Sequence, residues 1–108
     1  MKADPSLRVF EGEYDTQAVQ HCHIEVPVSY AYMEKGRVVV VSSTQIPHIV
    51  RRVCGQALGI PWGKIRVIKP YIGGGFGNKQ EVLYEPLNAF LTMQVGGRPV
   101  KIELSREE

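Results

Sequence analysis

The chain has 108 residues, 44% apolar and 22% charged, with a formal net charge of +2, which suits one ordinary globular domain and excludes a disordered tail, a collagen or a coiled coil. Two cysteines exclude a disulfide-stapled scaffold, and the longest apolar run, Val38–Val41, is far too short to span a membrane. Met1-Lys2-Ala3-Asp4-Pro5 leads into no apolar signal core, so a soluble cytoplasmic protein with reduced thiols is expected.

Residues 1–20 are polar and carry no clear period. They read as a lead-in segment, with a short strand expected near Leu7–Tyr14 and the folded unit over 21–108. From 21 to 32 apolar residues alternate strictly: Cys22, Ile24, Val26, Val28, Tyr30 and Tyr32. That period of two is a strand, and Pro27, lacking a ladder donor, places it at a sheet edge. Met33-Glu34-Lys35-Gly36 is a hairpin turn. Arg37–Ser42 is a second strand whose four valines suit burial on both faces.

The period then becomes helical, with Ile46, Ile49, Val50, Val53, Ala57 and Leu58 on one side. Ser43 or Thr44 can cap this helix, Pro47 suits its first turn and Gly59 its end. Pro61-Trp62-Gly63 turns into a third strand, Lys64–Lys69. A glycine-rich loop, Tyr71–Lys79, precedes a second helix over roughly 80–95. Pro86 means that this helix either kinks or begins near Tyr84. Gly96-Gly97 end it, and Val100–Leu104 is a fourth strand. The order β-β-α-β-α-β makes an α/β (α+β) two-layer sandwich, a mixed sheet with an edge hairpin and parallel neighbours behind the helices.

Charge is not spread evenly. Residues 1–35 carry a net −3, residues 36–80 a net +7 without any Asp or Glu, and residues 81–108 a net −2. The acid-free stretch suits either an anionic ligand or a set of solvated faces.

Two connections, Ser42–Ile46 and Pro70–Gln80, run from a strand end to a helix start. If their strands are parallel, both open at one sheet edge and can build one site. Gly73, Gly74, Gly75 and Gly77 exceed what a turn needs, which suggests backbone pressed against a ligand; a flexible linking loop is the plainer reading. The loop is neither a P-loop nor a dinucleotide fingerprint. Phe76 either staples the loop to the core or faces a ligand. Gln45 either caps the first helix or offers an uncharged donor to a buried oxygen. His21 and His23 share a face that Cys22 does not, so no protein-ligated metal is expected, and that face reads as solvated or interfacial. No carboxylate is expected near the glycine loop for acid–base work.

Val41-Ser42-Ser43-Thr44-Gln45, Ile72-Gly73-Gly74-Gly75-Phe76-Gly77-Asn78-Lys79-Gln80 and Gly97-Arg98-Pro99-Val100 resemble segments of the molybdenum hydroxylases, the family of xanthine dehydrogenase and aldehyde oxidase. Gln20–Pro27 and Ser105–Glu108 resemble the flanking segments. The resemblance runs from about Arg8 to Glu108 and is nearest to the molybdenum-binding subunits of bacterial xanthine dehydrogenases.

It implies a molybdenum–pyranopterin cofactor, extended or not to a dinucleotide, whose phosphates would account for the acid-free stretch. It gives Gln45 a catalytic hydrogen bond to an oxygen ligand of the metal. It places Gly74, Gly75, Phe76 and Gly77 against the cofactor and Gln80 against the substrate. The implied reaction hydroxylates a purine or aldehyde carbon with oxygen from water. Electrons would leave through [2Fe–2S] clusters to FAD on other domains or subunits. Two departures stand out: many relatives have glycine where Asn78 stands, and the xanthine-oxidising animal enzymes have a charged glutamate where Gln80 stands. The family's general base has no counterpart on 108 residues, so the chain is expected to be an inactive fragment of a larger subunit. Self-association is expected through Val38–Val41 and the Cys22–Tyr32 edge.

A second reading is a basic α/β nucleic-acid-binding module, because Gly74-Gly75-Phe76-Gly77 matches the Gly-x-x-Gly of KH domains. Such loops join two helices, whereas here a strand precedes. A ligand-free interaction fragment is the third reading.

Overall fold

The computed structural model describes residues 4–108, so the first three residues of the lead-in lie outside it. Strands β1 (Val28–Glu34) and β2 (Arg37–Ser42) form an antiparallel hairpin closed by Lys35 and Gly36, both at positive φ (49° and 72°). Two consecutive positive φ values match the right-handed twist of the strands they join. Helix α1 (Pro47–Leu58) follows and ends on Gly59 in the left-handed conformation, φ 65°. Strand β3 (Ile65–Ile68) pairs parallel to β2, helix α2 spans Glu85–Gln94, and β4 (Val100–Glu103) pairs antiparallel to β1. The sheet order is β3-β2-β1-β4.

Both helices cover one face of this sheet. Val50 and Cys54 from α1 and Ala89 from α2 meet Ala31, Val38, Val40 and Ile65 from the strands, all buried. Val39 and Val41 are buried as well, so β2 is covered on both faces as its valine run implies. The mixed two-layer α/β class follows from the sequence pattern; three of its details do not.

First, β1 begins at Val28, not near residue 21, and lies in the middle of the sheet. Pro27 falls just outside the ladder, where its missing N–H is harmless, and its carbonyl accepts the Leu104 N–H (3.1 Å). The hairpin is therefore the centre of the sheet rather than its edge, and the two outer strands are β3 and β4. Second, β4 does not join β3 as a parallel neighbour; it crosses to the far edge beside β1. Third, α2 takes the shorter of its two expected forms, with Pro86 in the first turn.

Residues 7–14 form no strand and are exposed. The self-association sites expected at Val38–Val41 and Cys22–Tyr32 are also revised. The valines are buried, and β1, into which the second segment runs, is paired on both sides. The exposed apolar groups of the folded part include Leu83, Leu87 and Phe90, on and just before α2. Among the described residues no helix is long and apolar enough to cross a membrane.

Candidate functional site

Because β2 and β3 are parallel neighbours, the connections that leave them emerge side by side. They touch at Gln45 and Lys79. The Gln45 N–H donates to the Lys79 carbonyl (2.9 Å), and the Lys79 N–H donates back to Gln45 Oε1 (3.3 Å). The Thr44 hydroxyl also donates to the Lys79 carbonyl (3.4 Å). Gln45 caps nothing: Ile46 holds the N-cap position of α1 without a side-chain cap, and Thr44 Oγ1 accepts the Ile46 N–H (3.1 Å). With Oε1 occupied, the Gln45 amide has its NH₂ left to donate elsewhere.

The glycines are explained by protein neighbours. A Cβ on Gly75 would stand 2.8 Å from Gln45 Cδ, and one on Gly74 would stand 2.9 Å from His23 Cβ. Gly73 is pressed in the same way against Glu25. Gly77 has open space around it and is needed for its φ of 87°. The close approach inferred from the sequence is real, but its partners are Glu25, His23 and Gln45. Phe76 also has positive φ (51°) and is 73% exposed, so it staples nothing to the core. The N–H groups of Gly74, Gly75, Phe76 and Gly77 find no acceptor among the described residues. Unpaired backbone N–H groups are donors available to an anion or an oxygen-rich ligand. Gln80 follows on the exposed side of the loop.

A carboxylate does lie on the loop, contrary to expectation. Glu25 accepts the Gly73 N–H through Oε2, donates its own N–H to the Gly73 carbonyl (3.2 Å) and pairs through Oε1 with Lys79 Nζ (3.4 Å). Burial pushes the Glu25 carboxyl up, but the Ser43 hydroxyl, the Gly73 N–H and the Lys79 ammonium together bring it below the usual carboxylate value. Lys79 is buried and also donates to Ser43 Oγ (3.0 Å). His23, expected on an outer face, is buried: Nδ1 bonds the Glu25 carbonyl, and Nε2 faces Asn78 Nδ2 at 3.1 Å. Among the described residues no three of His, Cys, Asp and Glu gather as a metal cage.

Sequence reasoning missed Glu25, His23 and Ser43 as site residues. The acid-free stretch gave one hint, because Lys79 is its only cation in the loop. Arg37, Arg51, Arg66 and Lys69 instead line a separate depression with His48, beside β3 and α1. They do not gather at the glycine loop. The nucleic-acid reading loses its other support too, since the Gly74–Gly77 loop lies between β3 and α2 and not between two helices.

The residues match known proteins along nearly their whole length. A xanthine dehydrogenase molybdenum-binding subunit of Escherichia coli O157:H7 is 64% identical over 99 residues, which is 91% of this chain and 13% of that protein. Among solved structures, CO dehydrogenase from Oligotropha carboxidovorans superposes with a TM-score of 0.72 at 37% identity, over 82% of this chain and 11% of that one. Aldehyde oxidoreductase from Desulfovibrio gigas gives 0.74 at 28% identity, over 79% of this chain and 9% of that one. The chain thus spans about an eighth of the length of the curated relative. Residues 2–108 match the molybdopterin cofactor-binding domain. The donor-rich glycine loop beside Gln45 suits such a ligand, and the chain belongs to the molybdopterin cofactor-binding domain family.

Proposed function

We propose that this chain forms one wall of the cofactor site in a molybdenum hydroxylase of the xanthine dehydrogenase type. The enzyme would hydroxylate a purine or aldehyde carbon with oxygen from water. The observation that carries this reading is the Gln45 amide, fixed by Lys79 beside four unpaired backbone N–H groups. The bound molybdenum–pyranopterin, as a dinucleotide or not, would supply the two-electron oxidation.

With the cofactor bound, Gln45 would offer its amide N–H as an uncharged donor toward it. Lys79 keeps Oε1 engaged, so the amide would present a donor and not its acceptor. The N–H groups of Gly74, Gly75, Phe76 and Gly77 would face the cofactor, and the exposed Phe76 would cover it from water. Gln80, uncharged, hydrogen-bonds the substrate at the mouth of the site. Iron–sulfur and FAD centres on other domains or subunits would take the electrons, in an assembly that we place in the cytoplasm; Cys22 and Cys54 are both free. Glu25 is engaged by Gly73 and Lys79, so we place the acid–base residue outside these 108 residues, which alone should not turn over substrate.

Gln45→Ala in the complete enzyme tests this reading. Turnover should fall about 10²–10³-fold, as when one donor to developing charge is removed, while molybdenum content holds. Wild-type turnover would overturn the role of Gln45.

A further inference from the structure

Lys79 is 4% exposed, and an ammonium at that depth is tolerated only with partners. Its partners are Glu25 Oε1 (3.4 Å) and Ser43 Oγ (3.0 Å). Glu25 in turn holds Gly73 twice, by accepting its N–H and donating to its carbonyl. One carboxylate therefore grips both ends of the segment 73–79, and the unpaired N–H groups of 74–77 lie between the two grips. Lys79 also fixes Gln45 through both of its own backbone groups. The gripping segment is itself tied down: Arg106 Nη2 donates to the carbonyls of His23 (2.6 Å) and Ile24 (2.9 Å).

This pair is a poor source of stability, because Lys79 is desolvated, which offsets much of the attraction, while Glu25 stays partly exposed and screened. Its value here is geometric. We propose that the Glu25–Lys79 pair is a positioning device that sets the glycine loop and Gln45 in their receiving geometry before the cofactor arrives. This rests on the reading of the loop as a cofactor wall. Neither side chain need touch the cofactor. Preorganisation raises affinity by removing the ordering that binding would otherwise require.

The test uses the complete protein carrying Glu25→Leu with Lys79→Met, and Lys79→Met alone. Made without cofactor, the double variant should keep wild-type amide exchange in β1 and β2, which shows that the fold is intact. Exchange of the Gly73, Asn78 and Lys79 amides, the bonded ones of this segment, should rise at least about tenfold, the scale of losing hydrogen bonds to charged groups. Made with cofactor available, it should retain several-fold less molybdenum. A merely structural pair would lower global stability along with loop order. Where the double variant does not fold, Lys79→Met carries the same readings. Loop exchange at the wild-type rate overturns the proposal, and so does a loosened loop with full molybdenum. Failure of the cofactor-wall reading itself shows separately, as full molybdenum in Gly75→Val.

Discussion

The side chain of Gln45 lies directly on the backbone of Gly75, so closely that a Cβ there would stand 2.8 Å from both Cδ and Oε1 of the amide. This contact joins the loop after β2 to the loop after β3. Any side chain at 75 moves Gln45, and any shift of the glycine loop carries Gln45 with it through Lys79.

The other glycines differ in what they need, and substitutions should separate them. Gly77 has positive φ and open space, so Gly77→Ala should cost about 1 kcal/mol, the ordinary penalty of a Cβ in that conformation. Gly74 combines a φ of 100° with His23 Cβ 2.9 Å from the added carbon. Gly74→Ala should destabilise more than Gly77→Ala. Thermal unfolding of both variants checks the order; equal shifts would contradict the contact with His23.

The Glu25 carboxyl is held below its usual value by Ser43, Gly73 and Lys79 against the opposing effect of burial. A lowered folded-state value means that the stabilisation is fully present above the unfolded value, about pH 4, and is lost as pH falls through the folded one. Wild type should exceed Glu25→Gln in urea-unfolding midpoint by a constant margin from about pH 7 to 5, and the margin should shrink below about pH 4. A margin that grows on acidification would show the sign to be wrong.

Cys54 is fully buried, and burial, with the nearby Glu85 charge, pushes its thiol up to about 12. Cys22 is exposed. Alkylation of the native protein near neutral pH, mapped by mass spectrometry, should label Cys22 and spare Cys54. Labelling of Cys54 at a rate similar to Cys22 would mean that the α1 core opens readily.

The local signals in the sequence translate directly into structure. Lys35-Gly36 turns the hairpin, Gly59 ends α1, and Pro86 starts α2. The meeting of Gln45 with the glycine loop was also legible, because parallel β2 and β3 must send both loops to one edge. Glu25 was not legible. The alternation from Cys22 to Tyr32 extends a strand through it, but Cys22 takes positive φ (42°) and the chain bends near 24–25, so the ladder starts only at Val28. The bent segment then folds onto a loop 48 residues away, a contact that no local pattern encodes. The central position of β1 was hidden similarly, since β4 reaches it from the far end of the chain.

The molybdenum content of Gly75→Val tests the cofactor wall most directly. A branched side chain at 75 must displace Gln45 and the loop around it, because the space is filled to 2.8 Å. Molybdenum per chain, measured on the purified complete protein beside wild type and Gln45→Ala, should fall to near zero in Gly75→Val and stay near wild type in Gln45→Ala. Full molybdenum in Gly75→Val would show that the glycine loop only connects β3 to α2 and is no wall of a cofactor site.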